Sequence, residues 1–293
     1  MNAAARLALF AAALSGVFGA AVLVGGAAGP AGGVAPAGAA GARAGHQTAE
    51  HGAAGHTAAA PAGPLPGLQI AQDGYRLVMD RTRYPQGVQT LTFRITGPSG
   101  AVVREFAETH TKRLHLIVAR RDLATFEHLH PGLAQDGTWT GRADLRRAGA
   151  YRVFADFSTG GRALTLGADL DVAGAYDPVD LPAPAATART RDGLEVTLRD
   201  GGTPLAGREQ RPVFEVRAQG RPVDSELDPY LGARGHLVAL RAGDLAYLHT
   251  HPGDGDRLTF MTDYPSPGSY RLWVQFSYRG RVQTAAFTQE VTR

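Results

Sequence analysis

The chain has 293 residues, a formal net charge of +3 and no cysteine. The lack of cysteine excludes disulfides, thiolate metal ligands and thiol catalysis, so a bound metal would have to be held by nitrogen and oxygen. Its 30 basic residues are dispersed rather than clustered, which argues against a nucleic-acid partner.

Residues 1–26 predict an export segment. Arg6 precedes a run from Leu7 to Val24 that is almost wholly apolar. The apolar core of a cleaved signal has about 7–15 residues and a membrane-spanning helix needs about 18 or more, so this run fits either a signal peptide or a transmembrane anchor. The charge of Arg6 favours a cytoplasmic N-terminus, and both interpretations place the rest of the chain outside the cytoplasm.

Residues 27–66 predict a disordered tether, because they are rich in Ala, Gly and Pro and have no apolar period. His46, His51 and His56 are spaced by five within it. Short histidine-rich tracts can capture metal weakly, and the alternative is a polar spacer.

The remainder of the chain predicts an all-β fold, since short alternating runs are separated by turn residues and no segment keeps a helical period. We expect two tandem immunoglobulin-like or cupredoxin-like β-sandwich domains at 67–175 and 187–293, joined by a proline-rich linker at 176–186. In each half a glycine stands just before a tyrosine, Tyr151 or Tyr270, at the head of a late strand. This pattern predicts a tyrosine corner, in which the hydroxyl bonds back to the chain.

The two halves repeat each other over about 120 residues. HLIVARRDLATFEHLHP (115–131) aligns with HLVALRAGDLAYLHTHP (236–252) without a gap, and histidine occupies three of the six identical positions. This doubled spacing is the sequence's main indication of function.

A two-residue turn at the midpoint of each segment would place His115 opposite His128 and His236 opposite His249. Residues two apart on a strand share a face, so a third histidine joins each pair. The sequence therefore predicts one three-histidine metal site in each repeat, His115 with His128 and His130, and His236 with His249 and His251. The ion expected at such a site is Cu²⁺ or Zn²⁺. His110 is either a fourth ligand in the first repeat or a surface residue.

Other interpretations remain open at this point. The histidines can be half-buried polar residues of a non-enzymatic structural or interaction module, which displays loops to a cell-surface protein or glycan partner. Catalysis is not expected, because the sequence offers no Ser-His-Asp constellation and no phosphate-binding glycine loop. A third possibility, an oxidase or dismutase, requires a redox metal with an open coordination position. The expected partners are a metal ion and a membrane or cell-surface protein.

The phrases KRLHLIVARRDLATFEHLHPGL, YRVFADF and LTLGADL, together with YLGARGHLVALRAGDLAYLHTHP, span much of residues 112–252. They resemble a group of actinobacterial exported proteins that are described only as secreted or membrane proteins. The resemblance implies export and a tandem β-domain build, with no settled activity. Some of these proteins also have a histidine-rich head, which fits metal handling.

Overall fold

The computed structural model describes residues 65–199, 202–248, 250–253, 255 and 257–293. The predicted export helix and the tether histidines His46, His51 and His56 lie outside the described residues. Within the described part of the chain, no helix is long and apolar enough to cross a membrane.

The first repeat is built from two five-stranded sheets. In sheet order the strands run β1-β2-β4-β8-β7 and β3-β10-β9-β5-β6, and only β3 and β10 pair in parallel. The strands are β1 (Ala71–Gln72), β2 (Tyr75–Met79), β3 (Arg83–Tyr84), β4 (Val88–Thr96), β5 (Leu114–Arg120), β6 (Phe126–Leu129), β7 (Gly132–Leu133), β8 (Trp139–Asp144), β9 (Gly149–Thr159) and β10 (Arg162–Val172).

The second repeat also has two sheets and contains one short 3-10 helix, η1 (Asp224–Glu226). One sheet has the order β11-β12-β14-β20-β13, with β15 on β14 and β19 on β20; the other has the order β16-β21-β17-β18, with β22 on β21. The strands are β11 (Thr187–Arg189), β12 (Glu195–Leu198), β13 (Glu209–Gln210), β14 (Val213–Ala218), β15 (Arg221–Pro222), β16 (Leu227–Asp228), β17 (His236–Arg241), β18 (Tyr247–Leu248), β19 (Thr250–Pro252), β20 (Leu258–Asp263), β21 (Gly268–Tyr278) and β22 (Arg281–Val291). The predictions of an all-β fold and of two tandem domains are confirmed.

Each repeat encloses its own apolar core between its two sheets. The predicted tyrosine corners are present in both. The Tyr151 hydroxyl donates to the Arg147 carbonyl at 2.7 Å, and the Tyr270 hydroxyl donates to the Ser266 carbonyl at 2.8 Å. These bonds hold the chain in place at the start of β9 and β21, the long strands inside the second sheet of each repeat.

A third apolar cluster joins the two repeats. It lies on the outer faces of the β5–β9 and β17–β21 sheets, and Phe126 stacks on Trp273 across it with ring centroids 4.4 Å apart. All positions of β5 are therefore buried, the inner ones in the core of the repeat and the outer ones between repeats. The cluster consists of Ile117, Ala119, Leu123, Phe154, Val238, Leu240, Leu245, Tyr247 and Trp273.

The predicted register of the histidine hairpins is wrong by two residues in both repeats. His128 pairs with Ile117 rather than with His115, and Tyr247 pairs with Leu240. Longer loops at 121–124 and 242–245 replace the predicted two-residue turns, and in each loop a leucine, Leu123 or Leu245, adopts a positive φ. Because the side-chain period of a strand is two, a shift of two keeps every residue of the first hairpin on its predicted face.

Candidate metal centre

Three imidazoles from the two repeats converge at the interface between them. They belong to His115 on β5, His128 on β6 and His236 on β17, and one ring nitrogen of each lies within 4.8 Å of the others. The ring of His236 is 5.3 Å from that of His115 and 4.7 Å from that of His128, measured between centroids. One ion can be reached by all three side chains after small adjustments.

Strand parity explains this convergence. His115 shares the outer face of β5 with Ile117, and His236 shares that of β17 with Val238, so both histidines extend the apolar cluster between the repeats. His128 pairs with Ile117 and points to the same side. The two sheets pack these faces together, which brings a histidine of the second repeat to a pair in the first.

The cluster is largely buried, which favours the neutral forms of His128 and His236. His115 and His236 are only 2% and 7% exposed, and His128 is partly buried. Desolvation, reinforced by the neighbouring His115, lowers the pKa of His128 to about 3. Desolvation also holds the pKa of His236 well below its ordinary value, with His128 and His115 adding to the effect. At neutral pH these two rings are therefore neutral, and each has a lone pair on one of its two nitrogens.

In two of the three rings, the nitrogen that points away from the other histidines lies within hydrogen-bond distance of an oxygen atom. His115 Nε2 lies 3.0 Å from the Thr109 carbonyl oxygen, and His128 Nδ1 lies 2.7 Å from Gln275 Oε1. The inner nitrogens, His115 Nδ1 and His128 Nε2, are 2.8 Å apart. Hydrogen bonds of this kind orient histidine ligands in metal sites and fix their tautomers.

The other predicted ligands take different positions. The ring of His130 lies 5.1 Å from His115 and 4.8 Å from His128, but the residue is exposed at the edge of the cluster. His251 is exposed on β19 and pairs with Met261 in the sheet that does not contain β17. His249 lies outside the described residues. What the described residues form is one cluster shared by both repeats rather than one in each.

Sequence reasoning missed two neighbours of the cluster and left a third, His110, undecided. Gln275 and Asp156 are cross-strand partners of His236 and His115, and the structure places them on the histidine face. The ring of His110 lies 5.5 Å from that of His236, inside the cluster rather than on an open surface. Asp156 and Gln275 occupy equivalent positions in β9 and β21, but nothing in the sequence of one repeat indicates that the other repeat packs onto that face.

A small cavity borders the cluster on the side of His115 and His236. Its volume is about 30 Å³, and Asp156, Tyr247 and Thr250 also line it. A water molecule needs at least about 10–15 Å³ of such space, so the cavity has room for one or two. A ligand water can therefore stand next to the histidines.

Fold and site together define a class of protein: two tandem β-sandwich domains that bury a histidine cluster between them. Two stretches of the chain, residues 70–174 and 188–293, match the family described as a domain of unknown function, DUF8832. The chain therefore belongs to this family and contains two copies of its domain. None of the curated proteins matches the sequence.

Several solved structures are similar to the chain over about three quarters of its length. A titin A168–A169 fragment is 12% identical and matches 75% of this chain and 98% of its own, with a TM-score of 0.21. Domains 5–6 of the S-layer protein SbsC are 11% identical, matching 74% and 96%, with a TM-score of 0.20. A putative membrane-anchored protein from Corynebacterium diphtheriae is 10% identical, matching 76% and 59%, with a TM-score of 0.22. Similarity at these TM-scores carries no argument about function.

Proposed function

We propose that this protein is an extracytoplasmic binding protein for a divalent metal, zinc or copper(II), and that it holds one ion between its repeats with His115, His128 and His236. One observation carries the proposal. Three imidazoles, contributed by both repeats, converge in a largely buried apolar interface. The apolar run after Arg6 supports the export part of the proposal.

The geometry requires only small movements to accept an ion. Zinc binds imidazole nitrogen at about 2.0–2.1 Å, so two ligands of a tetrahedral site lie about 3.3 Å apart. The inner nitrogens of His115 and His128, now 2.8 Å apart, have to separate by about 0.5 Å. The ligand nitrogen of His236, which lies at most 4.8 Å from those of His115 and His128, has to move closer to them. Side-chain torsions supply shifts of this size without any change in the strands.

The donor set restricts the choice of ion. Imidazole nitrogen suits zinc, copper(II) and nickel, whereas Mg²⁺ and Ca²⁺ prefer oxygen ligands. Copper(II) stands highest in the affinity order for such ligands. The bordering cavity leaves room for a water as a fourth ligand.

Burial favours binding over catalysis. His115 and His236 expose only 2% and 7% of their surface, and the cavity beside them is too small for an organic substrate. We therefore propose that the protein buffers or passes on the ion rather than using it in a reaction.

Histidine substitutions test this proposal. We expect His128→Asn and His236→Asn each to abolish most of the zinc affinity measured by chelator competition, although the two residues lie in different repeats. His251→Asn is the matched control and should bind as the wild type does. Failure of the wild type to take up zinc or copper(II), or unchanged affinity in His236→Asn, would contradict the proposal.

One alternative is favoured by a specific observation. The ring of His128 bridges His115 and Gln275 in a continuous hydrogen-bonded chain, which can serve packing between the repeats without any ion. On this alternative the protein is a structural or interaction module. His128→Asn would then lower the melting temperature of the protein, and added zinc would not raise the melting temperature of the wild type.

A further inference from the structure

The hydrogen-bonded chain through the cluster contains a conflict of proton positions. It runs from the Thr109 carbonyl through His115, His128 and Gln275 to the Thr284 hydroxyl. The Thr109 carbonyl oxygen only accepts hydrogen bonds, so the Nε2 atom of His115 must carry the proton. The Nδ1 atom of His115 must then hold a lone pair.

The same reasoning applies to His128. Gln275 presents Oε1 to His128 Nδ1 at 2.7 Å, and an amide oxygen only accepts. His128 Nδ1 must then carry the proton, which leaves Nε2 with a lone pair. Two lone pairs therefore face each other across 2.8 Å, on His115 Nδ1 and His128 Nε2. Such a contact is repulsive unless a cation stands between the two nitrogens.

A proton is a poor candidate for that cation. It would create an imidazolium in an apolar interface, beside the further rings of His130 and His236. The neighbouring rings of His115 and His236 are only 2% and 7% exposed, so little solvent is available to stabilise a charged ring there. A divalent ion brings its own ligand bonds and relieves the contact.

In the metal-free protein, both imidazoles can stay neutral and hydrogen-bonded if the amide of Gln275 rotates by half a turn. Gln275 Nε2 then donates to His128 Nδ1, and the Thr284 hydroxyl turns to donate to Gln275 Oε1. His128 Nε2 now carries the proton and donates to His115 Nδ1. Every nitrogen is satisfied, but the lone pair that binds an ion is no longer available on His128.

We infer that Gln275 is a positioning residue that selects the tautomer of His128, Nδ1–H when the ion is bound and Nε2–H when it is absent. This inference rests on the proposed metal site and describes how that site is regulated. It also explains why the second repeat contributes a glutamine where the first has Asp156. In the first repeat Asp156 accepts from Thr165 at 2.9 Å, whereas the amide of Gln275 can turn either of its ends toward Thr284.

The test uses the full chain with zinc as the probe. Gln275→Met keeps the length of the side chain and removes both ends of the amide, so we expect zinc affinity to fall about 10- to 100-fold, as for other outer-shell partners of metal ligands. Gln275→Glu offers only acceptor oxygens to His128, and at about pH 8, where free imidazole is neutral, it should retain wild-type affinity or exceed it. Gln283→Met is the control, because Gln283 is buried in the same repeat but donates to Asp192.

Nitrogen-15 NMR of the histidine rings supplies a readout that a purely structural role would not move. We expect His128 in the metal-free wild type to carry its proton on Nε2 and to change to Nδ1–H with zinc, and His128 in Gln275→Glu to show Nδ1–H in both states. Wild-type affinity in a folded Gln275→Met variant, or an Nδ1–H form in the metal-free wild type, would overturn the inference. If the wild type takes up no zinc, the proposed function fails, while the metal-free spectra of wild type and Gln275→Glu still judge the role of Gln275.

Discussion

Acid should destabilise the metal-free protein through two buried histidines. His128 and His236 stay neutral in the folded chain because desolvation lowers their pKa values, to about 3 for His128 and well below the ordinary value for His236. In the unfolded chain both return to about 6.5. The unfolded state therefore binds more protons as the pH falls below about 6.5, and the stability of the fold falls with it.

The magnitude follows from the linkage relation. A pH of about 5 is about 1.5 units below the pKa of an unfolded histidine, and one unit corresponds to about 1.4 kcal/mol. For His128, which stays neutral in the fold, this corresponds to a loss of about 2 kcal/mol of unfolding free energy between about pH 7.5 and pH 5. The lowered pKa of His236 adds to the loss in the same direction. The titratable groups nearest to the two rings, His110, His115 and His130, lie in the same cluster.

Urea unfolding with a chelator present, at both pH values, measures this loss. The double variant His128→Gln/His236→Gln carries no titrating group at either position and serves as the control. We expect the wild type to lose at least about 2 kcal/mol more than the variant over this pH interval. Parallel losses in the two proteins would refute the conclusion that the folded state keeps these rings neutral.

Two further substitutions distinguish the contribution of the interface between the repeats from that of a tyrosine corner. Trp273→Ala removes the ring that stacks on Phe126 at 4.4 Å between the repeats, so we expect a loss of about 3–5 kcal/mol in unfolding free energy together with weaker zinc binding; unchanged zinc affinity would show that the interface does not position the site. Tyr270→Phe removes the hydroxyl that donates to Ser266 and should cost about 1–3 kcal/mol by thermal or urea unfolding, with zinc affinity preserved. A loss of zinc binding in Tyr270→Phe would mean that the tyrosine corner contributes to the site.

The fold was largely predictable because it depends on local patterns. Alternating runs indicated strands, and the internal repeat indicated two domains, both of which the structure confirms. The tyrosine corners followed from the glycine and tyrosine at the head of β9 and β21. Each of these signals lies within one repeat and requires only the period of a strand and the chemistry of a turn.

The hairpin register was not predictable from the midpoint of the histidine spacing. A leucine with a positive φ, Leu123 or Leu245, closes each longer loop, and leucine gives no signal for that conformation. The error left the face of His115 and His128 correct because a shift of two residues preserves parity. A shift of one would have separated them.

The shared nature of the site was hidden for a different reason. His236 meets His115 and His128 only because the outer faces of two sheets pack together, and no pattern within one repeat specifies its partner. The run LHLIVA in β5 did hold a clue, because a strand that is apolar at successive positions is buried on both faces. One face serves the core of the repeat, so the other had to be covered by something else.

The count of tightly bound ions tests the central claim most directly. In a full chain whose tether histidines, His46, His51 and His56, are replaced by alanine, we expect one zinc or copper(II) ion per chain, lost completely in either His128→Asn or His236→Asn. Two ions per chain, of which each substitution removes only one, would show separate sites in the two repeats and contradict a site shared between them.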